Sequence, residues 1–171
     1  MVLTKPELIK SLQHEVHVLL HLAGKVDRAK LDYRPTPKQR STIELLKYLS
    51  MMGPTIIEYA KVETPDPNLW TNAAKEADAR NFDQTVAAIA AQKEAYATLL
   101  GGMSDADFRA EVNDFTGGKT SRGSLIVTLV LGGCAAYRTQ LFLYLKACGR
   151  EELSTMDLWA GADAPANPVG A

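Results

Sequence analysis

Reactive and polar side chains are concentrated in one apolar stretch, GGCAAYRTQLFLYLKACG, from Gly132 to Gly149. Cys134 could act as a nucleophile and Tyr137 as a proton donor. Arg138, one helical turn after Cys134, is the kind of neighbour that favours a thiolate. The second thiol, Cys148, lies fourteen positions on, about 21 Å along a helix at 1.5 Å per residue. That is far beyond disulfide reach, so both cysteines are expected as free thiols in a reducing compartment.

A uniform helical wheel puts Ile126, Val130, Tyr137, Leu141 and Tyr144 on one face, with Gly133 and Cys134 among them. Tyr137 is therefore expected to point inward, Gln140 to border that face and Arg138 to lie further off it. A buried hydroxyl and amide need partners, at a cost of about 1 to 3 kcal/mol each if they lack them. Mutual hydrogen bonds, or bonds to Tyr48, would supply those partners and hold the helices in register.

Other groupings are weaker chemically. His14, His17 and His21 all fall in the first helical segment, at spacings of three and four that could place a pair on a metal. They share a flank with Lys10 and Arg28, away from the apolar seam, which reads as a solvated or dimer-facing stripe with adventitious metal binding at most. Gly117-Gly118-Lys119-Thr120 imitates the end of a phosphate loop, but Asn113 stands where its first glycine belongs, and no strand context precedes it. With every histidine on one helix, a Ser-His-Asp triad is not expected.

The elements that must hold these residues are helices. Ile9, Leu12, Val16, Leu19, Ala23 and Val26 follow a three-four spacing from a Thr4 N-cap to about Lys25. The prolines of Tyr33–Pro37 enforce a loop, after which Ser41 and Glu44 form a capping box for a second helix, expected to bend at Gly53-Pro54. Thr64–Asn68 breaks the chain again and leads into an alanine-rich polar ramp ending near Arg80. A third long helix follows from Asn81 to Leu100, with Phe82, Val86, Ile89, Lys93 and Tyr96 on its inner stripe, and Gly101-Gly102 stops it. A short capped turn (Ser104–Ala110) and a loop or small hairpin (Val112–Gly123) precede the fourth helix, Ser124 to about Ala147.

This pattern predicts an all-α four-helix bundle with long connections: a single domain over residues 1–160 and a flexible tail at 161–171. The chain has 171 residues, 46% of them hydrophobic, enough to bury one continuous core. A net charge of -1 gives no electrostatic attraction to nucleic acid or to an anionic membrane. The longest apolar run, LIVTLVLGGCAAY, is interrupted by two glycines and falls short of a span, and the N-terminus lacks the pattern of a signal peptide. These features predict a cytoplasmic protein. Val18, Leu20 and Leu22 lie outside the main seam, an apolar excess of the kind that often seals a partner.

Two segments resemble a known family. YRTQLFLYLKACG is similar to the fourth-helix signature of the DinB-like, YfiT-type four-helix bundles, His-x-x-x-His-Arg-Gly-Gln followed by Leu, Tyr-Leu-Arg and Gly. LDYRPTPKQRSTIELLKYLS resembles that family's loop and second-helix start, so the similarity extends roughly from Glu7 to Gly149. The resemblance implies a divalent metal held by three histidines, one on helix two and two on helix four, and relatives that act as thiol-dependent transferases or as a mycothiol-dependent isomerase. Carried across, those ligand positions fall on Tyr48, Gly133 and Tyr137, so no metal and no other cofactor is expected. Together with the apolar excess on the first helix, the resemblance leads to the expectation of a homodimer. What remains is a pocket at Tyr48, Gly133, Cys134, Tyr137 and Gln140, joined by Met52 and Tyr59. Two functions follow: a metal-free small-ligand-binding or structural member, or a thiol-dependent transferase or isomerase, related to enzymes using bacillithiol or mycothiol, with Cys134 or Tyr137 as its catalytic group.

Overall fold

Capping fixes where the chain turns into helix. The computed structural model describes residues 3–114 and 116–165. The first long helix, α1 (Lys5–Gly24), begins at Thr4, whose hydroxyl accepts from the Glu7 N–H while the Glu7 carboxylate takes the Thr4 N–H. The same reciprocal box, at Ser41 and Glu44, opens α2 (Thr42–Lys61), and at Asn81 and Gln84 it opens α4 (Phe82–Gly101). Helix α2 runs through Pro54 without interruption.

Between them, the alanine-rich ramp, to which the sequence reading assigned no element, forms a helix, α3 (Leu69–Ala79). Among its residues only Ala77 is buried, so its apolar periodicity is faint. It is tied to α2 from outside: Lys47 Nζ donates to the Asp78 carbonyl at 2.7 Å and Arg80 donates to Ser50 Oγ at 2.8 Å. A one-turn helix, α5 (Asp105–Arg109), leads into an antiparallel hairpin of β1 (Glu111–Asn113) and β2 (Lys119–Ser121). Gly117, within the phosphate-loop look-alike, has φ +84° and makes the hairpin turn.

The fourth long helix is built in pieces: α6 (Arg122–Ile126), a π-helical turn (Val127–Leu131) and α7 (Gly132–Ala147). The two glycines do not break it, so, contrary to the sequence reading, Arg122–Ala147 is long and apolar enough by length and composition to cross a membrane. It nevertheless packs against α1 and α2. Its mid-helix Arg138 is 3% exposed and paired with a carboxylate, as expected of a bundle core helix.

The π turn also resets the inward face. Beyond it the buried positions are Cys134, Arg138, Leu141, Tyr144 and Leu145, continuing a four-residue step from Ile126 and Val130. A wheel turned at a constant angle misses the extra residue of the wide turn. Arg138 is therefore inside, and Tyr137 is half-buried at the edge, the reverse of the expected order.

Inside the bundle, Leu12 and Leu19 of α1 meet Leu49 of α2, Ile89 and Leu100 of α4 and Ile126 of α6. Lys93, expected inside, is exposed, and Gln92 takes its place in the core. Val18 and Leu22, expected on an outer face, are completely buried within the chain. Part of their cover is the segment after α7, where α8 (Thr155–Trp159) lies on α1 and Gly161 packs against the Val18 backbone. The tail expected from residue 161 is thus seated at its start, where Gly161 is buried and Asp163 pairs with Lys25. The rest of that expectation, residues 166–171, lies outside the described residues.

Candidate functional site

Two polar groupings flank α7, one inside the bundle and one on its surface. The inner one begins with Glu15, which interrupts the line Leu8, Leu12, Leu19 and Leu22 on α1. Its carboxylate lies 3.4 Å from Arg138 Nε, with both side chains more than nine-tenths buried. Neither Glu15 Oε2 nor Arg138 Nε has a hydrogen-bond partner among the described residues, so the pair is held by charge. Trp159 covers it, its ring centre 5.3 Å from the guanidinium carbon. Burial raises the Glu15 pKa from its ordinary value, opposed by the charges of Arg138 and His14.

Cys134 belongs to this inner group. Burial, followed by the charge of Glu15, pushes its thiol up to about 12, outweighing the hydrogen bond with Tyr96 and the Arg138 charge. Tyr96 is fully buried. Its hydroxyl donates to Gln92 Oε1 at 2.9 Å, and Gln92 Nε2 donates to the Leu49 carbonyl at 2.7 Å. The phenol is raised well above its ordinary value, first by burial and then by Cys134. The hydroxyl faces Gly53, where even a methyl group would come within 2.0 Å of it. A glycine here is a packing requirement.

The outer grouping is an aromatic cleft. Tyr48 of α2 and Tyr137 of α7 meet edge to face with ring centres 5.0 Å apart, and Trp70 of α3 stands 6.1 Å from Tyr48. Burial, then the Tyr137 hydroxyl, pushes the Tyr48 phenol up to about 12 against the opposing charge of Arg40. A cleft of about 550 Å³ opens beside these rings, lined also by Met52, Ile56, Leu129, Gly132, Gly133 and Ala136. Adjoining it across Tyr48 and Trp70 is a polar cleft of about 430 Å³, bordered by Arg34, Lys38, Arg40, Glu44 and Asp78.

Of the residues expected to share a pocket, Tyr48, Met52, Gly133 and Tyr137 line this one cleft. The space left by the missing side chain of Gly133 is taken up by Met52, whose Sδ and Cε would lie 3.4 and 3.3 Å from a Cβ there. Cys134 points the other way, into the bundle. Gln140 instead donates to the Tyr144 hydroxyl, which donates to the Arg40 carbonyl at 3.0 Å. It is bonded to neither Tyr137 nor Tyr48, as the wheel had suggested, because the π turn moves it toward the α2 entrance loop. Tyr59 borders a different cleft, with Glu63, Lys119 and Arg122. A glycine and two phenols, one of them pushed up to about 12, are not a divalent-metal ligand set at neutral pH.

All three histidines touch the C-terminal segment. His14 Nε2 bonds the Trp159 carbonyl at 2.7 Å, Gly161 packs on the His17 ring, and His21 Nε2 lies 2.9 Å from Asp157 Oδ1. His14 and His17 are exposed, as the stripe reading requires, while His21 is half-buried. His21, Asp157 and Asp163 could bring ligand atoms within 4.8 Å of one another, but the Lys25 ammonium already pairs with Asp163.

The sequence reading missed Glu15, Gln92 and Tyr96 as one polar unit with Arg138. The available signal was a charge or amide in a line of leucines: Glu15 between Leu12 and Leu19, and Gln92 between Ile89 and Tyr96.

No family model and no curated protein matches the sequence. Among solved structures, the fold is similar to a crystal structure of a DinB-like protein, YjoA, from Bacillus subtilis. The TM-score is 0.68 with 18% identity, over 86% of this chain and 95% of that one. The chain therefore has the DinB-like helical fold.

Proposed function

We propose that this DinB-like bundle binds a small, largely apolar molecule in the cleft between α2 and α7, and that it does so without a metal, at a degenerate form of the family's metal position. The observation that carries this reading is the cleft itself: about 550 Å³, walled by Tyr48, Trp70 and Tyr137. Ligand pockets commonly enclose about 300 to 1,000 Å³ with apolar and aromatic walls and a few polar groups. The two phenols can supply those polar groups. Cys134, turned into the core and neutral at physiological pH, supports binding over thiol chemistry.

The test uses N-phenyl-1-naphthylamine, a neutral dye that fluoresces in apolar sites. Titrated into the protein it should give a saturable rise, and Ala136→Phe, at an exposed position lining the cleft, should abolish it. A dye that does not bind, or that binds the variant equally well, would sink the reading.

A further inference from the structure

The polar cleft beside the aromatic one gives the ligand a second requirement. Arg40 sits over the Tyr48 ring, its guanidinium carbon 4.0 Å from the ring centre and 6.0 Å from that of Tyr137. A cation–π contact does not consume the guanidinium N–H donors, which remain able to meet a planar oxyanion. No carboxylate among the described residues pairs with Arg40, and none pairs with Lys38. Arg34, by contrast, is engaged by Glu44 at 3.2 Å.

The two cations border the 430 Å³ cleft, and the aromatic cleft continues it across Tyr48 and Trp70. Glu44 is neutralised by Arg34, which leaves Asp78 as the one lining carboxylate without an ion pair. The lining therefore retains a net positive end next to an apolar one.

Resting on the ligand-cleft reading above, we infer that the ligand is an amphipathic anion: an aromatic or aliphatic body between Tyr48, Trp70 and Tyr137, with a carboxylate or phosphate group held by the Arg40 guanidinium. Lys38 adds long-range attraction. Because Arg40 precedes Ser41, the N-cap of α2, its backbone is fixed by the helix start and by the Tyr144 hydroxyl bond. The cation is thus presented from a rigid segment.

The experiment compares two dyes with the same aromatic body: 8-anilinonaphthalene-1-sulfonate and its uncharged counterpart, N-phenyl-1-naphthylamine. The full chain should bind the sulfonate about fivefold more tightly at low salt. Arg40→Gln should remove that preference while leaving the neutral dye bound, and added salt should weaken the sulfonate alone. Equal affinity for both dyes, or a preference that survives Arg40→Gln, would overturn the anion assignment while the cleft reading stands. If neither dye binds, both fall. Displacement of the sulfonate by 4-phenylbutyrate identifies a carboxylate head group, and displacement by phenyl phosphate identifies a phosphate. If inorganic phosphate alone displaces it as well as either, the site recognises a plain anion and the amphipathic class is wrong.

Discussion

On α7, Cys134 directly follows Gly133 and Arg138 directly follows Tyr137, yet the inner pair, Cys134 and Arg138, and the outer pair, Gly133 and Tyr137, occupy opposite environments. The inner pair joins Glu15, Tyr96 and Gln92 in a sealed row, where two thiol and phenol groups are held neutral by burial and a charge pair has nowhere else to go. The outer pair borders an open cleft with Tyr48 and Trp70, and the Arg40 guanidinium sits over the Tyr48 ring. The lesson is that polar residues in a helix core are not by themselves a site. Here the polar groups with the more suggestive chemistry are buried in the core, and the aromatic ones line an open cleft.

Breaking the inner pair should produce the largest effect. Arg138→Met leaves the Glu15 carboxylate buried and unpaired, and should cost about 3 to 5 kcal/mol of unfolding free energy in a urea titration. Adding Glu15→Leu should recover most of that loss, because two apolar side chains of similar volume can replace a buried ion pair without penalty. A single variant with near-native stability would show that the row is not sealed.

A smaller loss is expected where the row touches α2. Gly53→Ala places a methyl group 2.0 Å from the Tyr96 hydroxyl, and Tyr96 is held in place by Gln92. Overpacking of this kind should cost about 1 to 3 kcal/mol, offset in part by the better helix propensity of alanine. Tyr96→Phe in the Gly53→Ala background should restore part of the melting temperature, since it removes the closest atom.

The smallest effect should come from the outer pair. Tyr137→Phe keeps the ring contact with Tyr48 and should change stability by less than about 1 kcal/mol. It removes a hydroxyl that raises the Tyr48 pKa, so Tyr48 should titrate below about 12, visible as phenolate absorbance appearing at lower pH. If this variant were as damaging as Arg138→Met, the contrast between the two faces would collapse.

The sequence made the long helices legible because their starts are written in capping residues, Thr4 with Glu7 and Ser41 with Glu44, and their seams in leucine spacing. Helix α3 stayed hidden because Leu69–Ala79 buries so little that periodicity has almost nothing to report. Tyr48 and Tyr137 are 89 positions apart in sequence; the need of a buried hydroxyl for a partner suggested their pairing, and the family resemblance placed both at one site. The inner row was missed for a geometric reason: a wheel at constant angle cannot anticipate the π turn at Val127–Leu131, and that one wide turn exchanges Tyr137 for Arg138. Glu15 drew no attention, although Leu12 and Leu19 on either side of it along the helix face are completely buried.

The seating of α8 on α1 has a consequence for the order in which the chain folds. His14 meets Trp159 across 145 positions and His21 meets Asp157 across 136, so these contacts close nearly the whole chain into a loop. Closures of that length are entropically expensive and come after local ones are in place. During synthesis, the histidine face of α1 stays wet until α8 arrives. Trp159, laid over Arg138 at that moment, makes the burial of the charge pair a finishing step of folding.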